Sequence, residues 1–376
     1  MLYRKFKDIQ CSQLGFGTMR LPILYNNEKL IDQEKADLCL QTAIDSGINY
    51  FDTAWPYHKQ ASEKYLGDFL NRTEQRKKVN IATKLPCWEC HTTESFMTHF
   101  NIQLQNLQTD YIDFYLLQAL DGYRFKKVKD LGVLDFLDNL KATKQIHYAG
   151  FSFHGDHKDF IEILNAYDWD FVQIQLNYMD ENFQAGLKGL EAAAKKGCGV
   201  IIMEPLRGGQ LATKSSDDLV KMWETFETPL SPAALAFKYL FNKPEITLVL
   251  SGMHQLSDVK ENIKTASENG INMLTTQEKA IISELQHYYL NRKNIPCTSC
   301  GYCSDCPQHI PIAEIFKYYN EAHMYHQIEE SKQKYHKNIQ NKFKANHCIA
   351  CHKCESLCPQ QIPIIDELKK AHTFLT

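Results

Sequence analysis

The sequence predicts an α/β fold in which a closed (β/α)8 barrel is followed by a small α-helical domain rich in cysteine. Eight short apolar runs alternate with eight amphipathic stretches over the first 265 residues. The runs are rich in Val, Ile, Tyr and Phe and nearly continuous in apolar character, which is typical of parallel strands buried on both faces. In addition, 8 of the 13 cysteines lie after residue 296. The alternation therefore indicates a barrel, and the cysteine cluster indicates a second domain.

The predicted strands and helices alternate along the first part of the chain. The strands are expected at 13–19, 49–54, 79–85, 111–117, 147–153, 171–177, 199–205 and 246–252. The helices are expected at 32–46, 62–70, 94–107, 131–143, 157–167, 183–196, 231–241 and 255–267. A doubly wound sheet would alternate in the same way, but it usually carries a glycine-rich dinucleotide fingerprint. Here Gly15 and Gly17 are followed by Arg20 where the third glycine is needed, which favours the barrel.

The composition excludes several classes of protein. Lys plus Arg number 42 and Asp plus Glu number 45, so the net charge is -3 over 376 residues. This balance gives no electrostatic case for binding nucleic acid or an anionic membrane surface. No apolar run has the length of a membrane-spanning helix, and the segment MLYRKFKDIQ lacks the apolar region of a secretory signal. We therefore expect a cytoplasmic protein, in which clustered cysteines bind metal rather than form disulfides.

Polar residues occur where the predicted strands end. They are Asp52, Lys84, Gln118, Ser152, Gln173, Glu204 and Ser251. The carboxyl ends of barrel strands converge on one face, and this face carries the active site of barrel enzymes. A polar residue at one strand end means little, but polar residues at seven of eight ends favour a functional face.

The main chemical signal is the group Asp52, Tyr57 and Lys84. Asp52 and Lys84 end adjacent predicted strands, and Tyr57 lies in the loop after the first of them. A free tyrosine has a pKa of about 10, and a neighbouring lysine ammonium is expected to lower the pKa of Tyr57 by stabilising the phenolate. Asp52 would hold that cation in place. The group therefore predicts a general acid that protonates a carbonyl oxygen as hydride reaches the carbon.

Two cysteine motifs repeat near the end of the chain. Their members are Cys297, Cys300, Cys303, Cys306, Cys348, Cys351, Cys354 and Cys358. The second motif, C-x2-C-x2-C-x3-C-P, has the bacterial ferredoxin spacing, and the first is one residue shorter before its last cysteine. Zinc is the alternative, because paired C-x2-C units also form all-cysteine zinc sites. Two runs of four that each end in Cys-Pro favour iron–sulfur cubanes.

The region between the two motifs contains no Gly or Pro over 316–344 and is predicted to be helical. The long spacer favours an α-helical rather than a compact β-hairpin type of iron–sulfur domain. We place the barrel domain at 1–285 and the ferredoxin-like 4Fe-4S domain at 286–376.

A further C-x2-C unit, Cys87 and Cys90, lies just beyond Lys84. The alternatives are a redox pair or an extra metal site, but no second pair is nearby in the sequence, so we interpret its placement as incidental. Cys11, Cys39 and Cys198 are most simply small residues of the core.

At Asp52, Tyr57 and Lys84 the chain resembles the aldo/keto reductase family. The segments that carry the resemblance follow in consistent order over residues 1–270: GFGTMRLP (15–22), GINYFDTAWPY (47–57), ATKLP (82–86), DYIDFYLLQ (110–118), GFSFHG (150–155), QIQLNY (173–178), MEPLRGG (203–209) and SGMHQLSDVKEN (251–262). With its cysteine tail the chain resembles the subgroup that carries a C-terminal 4Fe-4S ferredoxin-type domain. The resemblance implies a TIM barrel that catalyses nicotinamide-dependent carbonyl reduction without a Rossmann fold.

The family's catalytic tetrad implies roles for four residues. Asp52, Tyr57 and Lys84 match three of its positions, with Tyr57 as the acid/base, Lys84 as the modulator of its pKa and Asp52 as the partner of Lys84. The fourth position, usually histidine, is Gln118 here. A glutamine amide donates a hydrogen bond but does not titrate, so this departure bears on substrate class and turnover.

The resemblance also implies contacts along the nucleotide. They are Ser152 and Gln173 at the carboxamide, Met203 at the nicotinamide ring, Leu206 and Gly208 at the pyrophosphate, and Gly252, Met253, Asp258, Glu261 and Asn262 at the adenosine end. Many family members carry an arginine at the position of Asp258, where it holds the 2′-phosphate of NADPH. A carboxylate repels phosphate and accepts from a ribose hydroxyl. We therefore hypothesise that this chain prefers NADPH over NADH less strongly than the family members that carry the arginine, or that it prefers NADH.

The function predicted from the sequence is the NAD(P)H-dependent reduction of a small-molecule carbonyl compound. The chain is also expected to bind [4Fe-4S] clusters, most simply two, for electron transfer or structure. By the two-cluster ferredoxin pattern, the last cysteine of each motif ligates the cluster of the other motif. The alternative is a non-catalytic, nucleotide-binding redox sensor or subunit that docks a redox partner protein through the iron–sulfur domain. Nucleic-acid and membrane partners are not expected.

Overall fold

The structure is a computed structural model, and it describes residues 1–297, 301, 303–358 and 360–376. The chain forms two compact units. The first consists of Met1–Thr213 and Pro229–Thr275, and the second of Lys214–Thr228 and Thr276–Thr376. Within the described ranges, no helix combines the length and the apolar character needed to cross a membrane.

The first unit is built on a closed barrel of eight parallel strands, which confirms the predicted fold. The strands of this unit are β1 (Tyr3–Phe6), β2 (Ile9–Ser12), β3 (Leu14–Gly17), β4 (Tyr50–Asp52), β5 (Asn80–Leu85), β6 (Ile112–Leu120), β7 (Ile146–Phe153), β8 (Phe171–Gln175), β9 (Gly199–Met203) and β10 (Leu248–Ser251). Strands β3 to β10 follow one another around the barrel, and β10 pairs with β3 to close it. Each of these eight strands overlaps its predicted range, although β6 continues past its predicted end at residue 117.

Helices connect the barrel strands and form the second unit. They are α1 (Gln33–Asp45), α2 (Ser62–Arg72), α3 (Thr93–Leu107), α4 (Gly122–Asp130), α5 (Val133–Ala142), α6 (His157–Asn165), α7 (Gly186–Lys195), α8 (Asp217–Glu224), α9 (Pro232–Phe241), α10 (Leu256–Glu268), α11 (Thr276–Leu290), α12 (Ile312–Met324), α13 (Ile328–Asn338), α14 (Lys353–Leu357) and α15 (Ile364–Leu375). Local sequence sets several of their starts. The Asp32 side chain accepts from the Lys35 backbone N–H at α1, and Ser231 caps α9 ahead of a proline in the first turn.

The hairpin of β1 and β2 closes one end of the barrel, and the sequence did not predict it. Phe6 is buried, with its ring centroid 5.3 Å from that of Phe114 and 6.4 Å from that of Phe171. Phe171 is the first residue of β8, so Phe6 covers the amino ends of the strands. The polar strand ends lie at the opposite end of the barrel, which is where barrel enzymes place their active sites.

The second unit contains α8 and α11 to α15. The prediction of a helix over 316–344 is wrong in one respect. The structure contains two separate helices in this region, α12 and α13. Between them His326 has a left-handed backbone with φ 55°. The preceding Tyr325 is buried, with its ring centroid 5.0 Å from that of Tyr289. Packing of this ring and a left-handed turn end the helix where the local sequence has no breaker.

Candidate active site and iron–sulfur region

Asp52 and Lys84 form a buried ion pair at the carboxyl ends of adjacent strands β4 and β5. The Lys84 Nζ donates to Asp52 Oδ1 at 2.7 Å and to the Thr53 carbonyl oxygen at 2.8 Å. Both side chains are only 2–3% exposed. Burial lowers the pKa of Lys84, and the charge of Asp52 opposes that shift. Burial likewise raises the pKa of Asp52, and Lys84 opposes it, so each group needs the other as its counter-charge.

Tyr57 lies in the loop between β4 and α2, beside this ion pair. The Lys84 Nζ is 5.2 Å from the centroid of the Tyr57 ring. Burial raises the pKa of Tyr57 well above its usual value, and the charges of Asp52 and Glu204 add to the shift. This direction is opposite to the predicted one, because burial of the phenol and the two carboxylates disfavour the phenolate. A phenol with a raised pKa keeps its proton at neutral pH, so proton donation by Tyr57 requires a nearby positive charge that stabilises the phenolate as it forms.

The Tyr57 loop is anchored by the next residue, His58. Its two ring nitrogens lie 2.8 Å from the Glu28 carbonyl oxygen and 3.1 Å from the Thr18 carbonyl oxygen. His58 is 8% exposed and has a left-handed backbone with φ 51°. A buried imidazole between two backbone carbonyls fixes the entry to α2, and with it the position of the neighbouring phenol.

Gln118 lies in an irregular part of β6. The register between β6 and β7 shifts between Leu117 and Leu120, and Ala119 has a left-handed backbone with φ 53°. The Gln118 side chain is 7% exposed, and its Oε1 is buried without a hydrogen-bond partner. A buried acceptor without a donor is uncommon in folded proteins, and a ligand, an ion or an ordered water can complete it.

Ser152, Gln173 and Met203 lie at the ends of β7, β8 and β9. The Ser152 Oγ accepts from the Ala119 backbone N–H at 2.8 Å, which ties β7 to the irregular part of β6. The Gln173 Nε2 lies 3.9 Å from the Met203 Sδ, and its Oε1 is buried without a partner. A carboxamide presents both a donor and an acceptor, so this second unpaired oxygen fits a nicotinamide amide.

The loop after β9 contains Leu206 and two glycines in left-handed conformations. Gly208 has φ 70° and Gly209 has φ 102°, a region that favours glycine. A Cβ on Gly209 would meet no atom within 4 Å, so open space lies beside this backbone. The Arg207 Nη1 pairs with Asp180 Oδ1 at 3.0 Å and fixes the loop. The residues expected at a pyrophosphate thus have an accessible backbone.

Arg20 links this loop to the ends of two other strands, although it was not among the site residues predicted from the sequence. It follows β3, and its Nη1 donates to the Gly208 carbonyl oxygen at 3.0 Å. A Cβ built on Gly252, after β10, would lie 3.1 Å from the Arg20 Cδ. Phosphate sites in such barrels commonly form from the loops after the seventh and eighth strands, here β9 and β10. The only sequence signal was that Arg20 interrupts the glycine fingerprint.

The residues expected at the adenosine end of the nucleotide differ in their exposure and in their hydrogen-bond partners. Met253 is buried and Gly252 and Glu261 are exposed. The Asn262 Nδ2 donates to Ser251 Oγ at 3.1 Å, which connects α10 to the end of β10. Asp258 belongs to the capping box of α10 and lies 3.2 Å from the His254 Nδ1. The proposed NADH preference stays a prediction.

Cysteines of both motifs lie against one hydrophobic core in the second unit. Cys354 belongs to that core and is 8% exposed, and Cys351 is exposed. Packed against the core are Cys297, Cys303, Cys306, Cys348 and Cys358. Cys300 lies outside the described residues. The twelve described cysteines form no disulfide with one another. In the described part of the chain no three His, Cys, Asp or Glu side chains are grouped around a site for one metal ion. Thiols without disulfides beside an apolar core fit the donor set of an iron–sulfur cluster.

Comparison with known proteins assigns the family. Residues 13–286 match the family model described as aldo/keto reductase family. The chain belongs to the aldo/keto reductase family. Residues 296–363 match the model of the 4Fe-4S dicluster domain, so a 4Fe-4S domain follows the aldo/keto reductase region. The resemblance drawn from the sequence motifs is thereby confirmed.

Relatives and solved structures agree with this assignment. The "uncharacterized oxidoreductase YqkF" of Bacillus subtilis is 24% identical, with 69% of this chain and 89% of the relative covered. L-galactose dehydrogenase of Arabidopsis thaliana is 25% identical, with coverage of 69% and 86%. Among solved structures, the holo form of an aldo-keto reductase from Bacillus halodurans has a TM-score of 0.63 at 24% identity, covering 76% of this chain and 96% of its own. At these sequence identities the structural similarity supports the fold alone.

An aldo/keto reductase from Klebsiella pneumoniae, in complex with NADP and acetate, is a further structural neighbour. Its TM-score is 0.59 at 20% identity, covering 74% of this chain and 93% of the neighbour. The shared feature is again the barrel fold.

Cys87 and Cys90 belong to the core of this aldo/keto reductase barrel. Both are fully buried, and each sulfur lies 3.5 Å from a backbone carbonyl oxygen, of Leu85 and Pro86 respectively. Burial raises the pKa of both thiols, that of Cys90 to about 11. Thiols that are protonated and shielded from solvent are poor nucleophiles, which agrees with their interpretation as incidental.

Proposed function

We propose that the barrel catalyses the NAD(P)H-dependent reduction of an aldehyde or ketone to an alcohol. The observation that carries the proposal is the buried Lys84–Asp52 ion pair beside the Tyr57 ring. Membership of the aldo/keto reductase family supports it. The NADP complex of the Klebsiella pneumoniae neighbour supports the nicotinamide cofactor.

The bound nucleotide supplies the hydride that reduces the carbonyl carbon. Tyr57 donates its phenolic proton to the carbonyl oxygen, so one hydride and one proton together convert the carbonyl to an alcohol. Lys84 stabilises the negative charge that develops on the phenol oxygen, and Asp52 holds Lys84 in place. Tyr57 then recovers a proton from solvent. The Gln118 amide binds the substrate oxygen. The Gln173 amide and the Ser152 hydroxyl bind the nicotinamide carboxamide.

Turnover with a panel of aldehydes, ketones and quinones tests this function. We expect nicotinamide oxidation that depends on a carbonyl substrate and yields one alcohol per nucleotide oxidised. Nucleotide binding without turnover on any member of the panel would instead favour the redox-sensor function. In a redox sensor of this kind, the iron–sulfur domain would dock a partner protein.

Gln118 is proposed to orient the substrate oxygen. Gln118→Ala is expected to lower kcat/KM by about 100-fold, because a developing oxyanion loses one of two donors. Gln118→His is expected to retain activity and to extend it to simple aldehydes, because it restores the donor usual in the family. Steady-state kinetics and the Tm of both variants check this.

A purely structural Gln118 would give a different pattern. The alanine variant would then lose thermal stability while kcat/KM stayed within about twofold, which corresponds to less than roughly half a kcal/mol. The substrate role requires the Gln118 Nε2 to donate to the substrate oxygen, because the Gln118 Oε1 can only accept.

Arg20 is proposed to bind the nucleotide pyrophosphate. Its guanidinium donates to a backbone carbonyl in the Gly208 loop and has no carboxylate partner within the described structure. Arg20→Ala is expected to weaken NADPH and NADH binding about tenfold or more, since charge-assisted hydrogen bonds to phosphate are strong. Fluorescence titration of both nucleotides measures the effect. Arg72→Ala is the matched control, because it removes an arginine from α2 that pairs with Asp37 at the surface. Equal affinities for wild type and Arg20→Ala would contradict the assignment.

We also propose two [4Fe-4S] clusters, held by the eight motif cysteines in the crossed pattern, and a domain boundary at residue 285. The packing of cysteines from both motifs on one core supports a single compact domain. Hydride carries two electrons and a cluster usually carries one, so electron exchange between barrel and clusters requires a converter such as a flavin. Clusters that serve a redox partner protein, or the stability of the domain, need no such converter.

A further inference from the structure

Positive charge is concentrated beside the second cysteine motif. Residues 331–354, called the basic segment below, contain six lysines and three histidines and neither Asp nor Glu, although the whole chain has a net charge of -3. The first motif, at 297–312, contains no Lys or Arg and one Asp. The two motifs therefore differ in the charge that a partner would meet.

Three lysines of the basic segment are exposed and form no ion pair with any residue that the structure describes. They are Lys337, Lys342 and Lys353. Lys334 differs from them, because its Nζ lies 3.0 Å from Glu330 Oε1. Unpaired surface charges of one sign attract an oppositely charged partner over a distance, so these three lysines favour an acidic partner.

Two exposed apolar side chains lie within and just after the basic segment. Ile349 is 58% exposed and Leu357 is 45% exposed. Between them in the chain lies Cys351, which is also exposed. Complexes of electron carriers bury less than about 1,200 Å², and an interface combines an apolar centre with a charged, solvated rim. Two apolar residues bordered by lysines match such a small interface.

The one carboxylate of residues 331–357 is Glu355, and both of its oxygens have partners. Its Oε2 lies 2.7 Å from His352 Nδ1, and its Oε1 accepts from the Ile365 backbone N–H at 2.9 Å. Glu355 therefore leaves the three lysines uncompensated.

The lysines also lie close to the residues that would hold the second cluster. The Lys342 Nζ is 4.7 Å from the centroid of the Phe343 ring, and Phe343 packs against the same hydrophobic core as Cys348. Lys353 directly precedes Cys354, which belongs to that core. A protein bound to these lysines would therefore lie beside the second motif.

We propose that the basic segment, with Ile349 and Leu357, is the docking surface for an acidic one-electron carrier protein. The inference rests on the proposed function, in which the second motif holds a cluster. In the complex one electron passes between the cluster and the carrier, so one centre is oxidised as the other is reduced. The lysines steer the acidic partner to the motif, and the apolar side chains pack at the centre of the contact.

The number of unpaired lysines favours a protein over other acidic partners. Proteins that bind DNA through its backbone typically contact about six to ten phosphates. Segments that bind anionic lipid usually cluster about four to eight Lys or Arg. Three unpaired lysines around two apolar side chains are fewer than either needs, and they fit the small interface of a carrier protein.

Binding of a plant-type ferredoxin, an acidic one-electron carrier, tests this surface. Anaerobic calorimetric titration measures its Kd for the protein with its full complement of metal, at low and at high salt. We expect binding that weakens as salt screens the charges, and no binding of cytochrome c, a basic carrier. Lys342→Glu/Lys353→Glu is expected to raise the Kd for ferredoxin about tenfold or more, because it places like charges opposite each other.

Lys77→Glu/Lys78→Glu is the matched control, because it reverses two exposed lysines of the first unit. Its Kd should equal that of wild type. The iron content of each variant is measured before titration. If Lys342→Glu/Lys353→Glu loses iron, Lys342→Glu carries the test, since it leaves the motif unchanged, and its Kd is expected to rise about threefold or more.

An unchanged Kd in an iron-replete variant of the basic segment would overturn the proposal, as would equal weakening in the control. Wild-type protein that fails to bind ferredoxin at low salt, but binds vesicles of anionic lipid, would assign the surface to a membrane instead. The titration contains no carbonyl substrate. Binding of ferredoxin by a protein that reduces no carbonyl compound would therefore support the docking surface and refute the function proposed for the barrel.

Discussion

Replacement of Tyr57 by phenylalanine is expected to lower turnover by about 100-fold or more, with nucleotide binding nearly unchanged. The substitution removes the proton donor and keeps the ring that packs beside Lys84. Because burial raises the pKa of Tyr57, the donor stays protonated on both sides of neutrality. The wild-type rate of carbonyl reduction should therefore be level near pH 7 and fall only under alkaline conditions. Single-turnover kinetics at saturating nucleotide measure the effect.

Tyr50→Phe is the matched control for this experiment. The Tyr50 hydroxyl is buried without a partner, and its ring packs with Phe114 near the closed end of the barrel. Turnover of this variant is expected to stay close to that of wild type. Unchanged turnover in Tyr57→Phe would mean that the acid lies elsewhere or that the barrel performs no carbonyl chemistry.

The second large effect concerns the iron–sulfur region. Anaerobically purified protein is expected to contain about eight irons per chain, as two cubanes require. Cys354→Ser is expected to lower this to about four and to reduce the stability of the second unit, because Cys354 is part of its hydrophobic core. Metal analysis, acid-labile sulfide and the visible spectrum of the same sample check both statements.

Cys39→Ala is the control, since Cys39 is buried in α1, outside both motifs. Its iron content should equal that of wild type. Four irons in the wild-type protein would mean that one motif binds no cluster. Stoichiometric zinc in place of iron would contradict the assignment altogether.

The barrel was predictable from the sequence because strand and helix periodicity is a local property. The same topology brings strand ends together, so Asp52 and Lys84 were expected to meet before any distance was known. The hairpin of β1 and β2 was not predicted, because its strands are short and its role depends on Phe6 reaching Phe114 and Phe171. Those contacts join segments more than a hundred residues apart in the chain.

The electrostatics of the site depended on long-range contacts in the same way. The predicted direction of the Tyr57 pKa was wrong because the sequence cannot show how far a residue is buried, or that the charges of Asp52 and Glu204 reach the phenol. Arg20 was not among the predicted site residues for a related reason. It gains meaning only from its contact with the Gly208 loop.

The most direct test of the central proposal is the fate of deuterium carried at both hydrogen positions of C4 in the reduced nicotinamide. Protein with its full complement of metal is mixed with the deuterated nucleotide and a carbonyl substrate under single-turnover conditions in ordinary water. Direct hydride transfer, with the proton supplied by Tyr57, predicts one deuterium at the carbinol carbon and ordinary hydrogen on the new hydroxyl. A product without deuterium at that carbon, formed while the nucleotide is oxidised, would contradict the proposal, because the electrons would then have reached the substrate by another path.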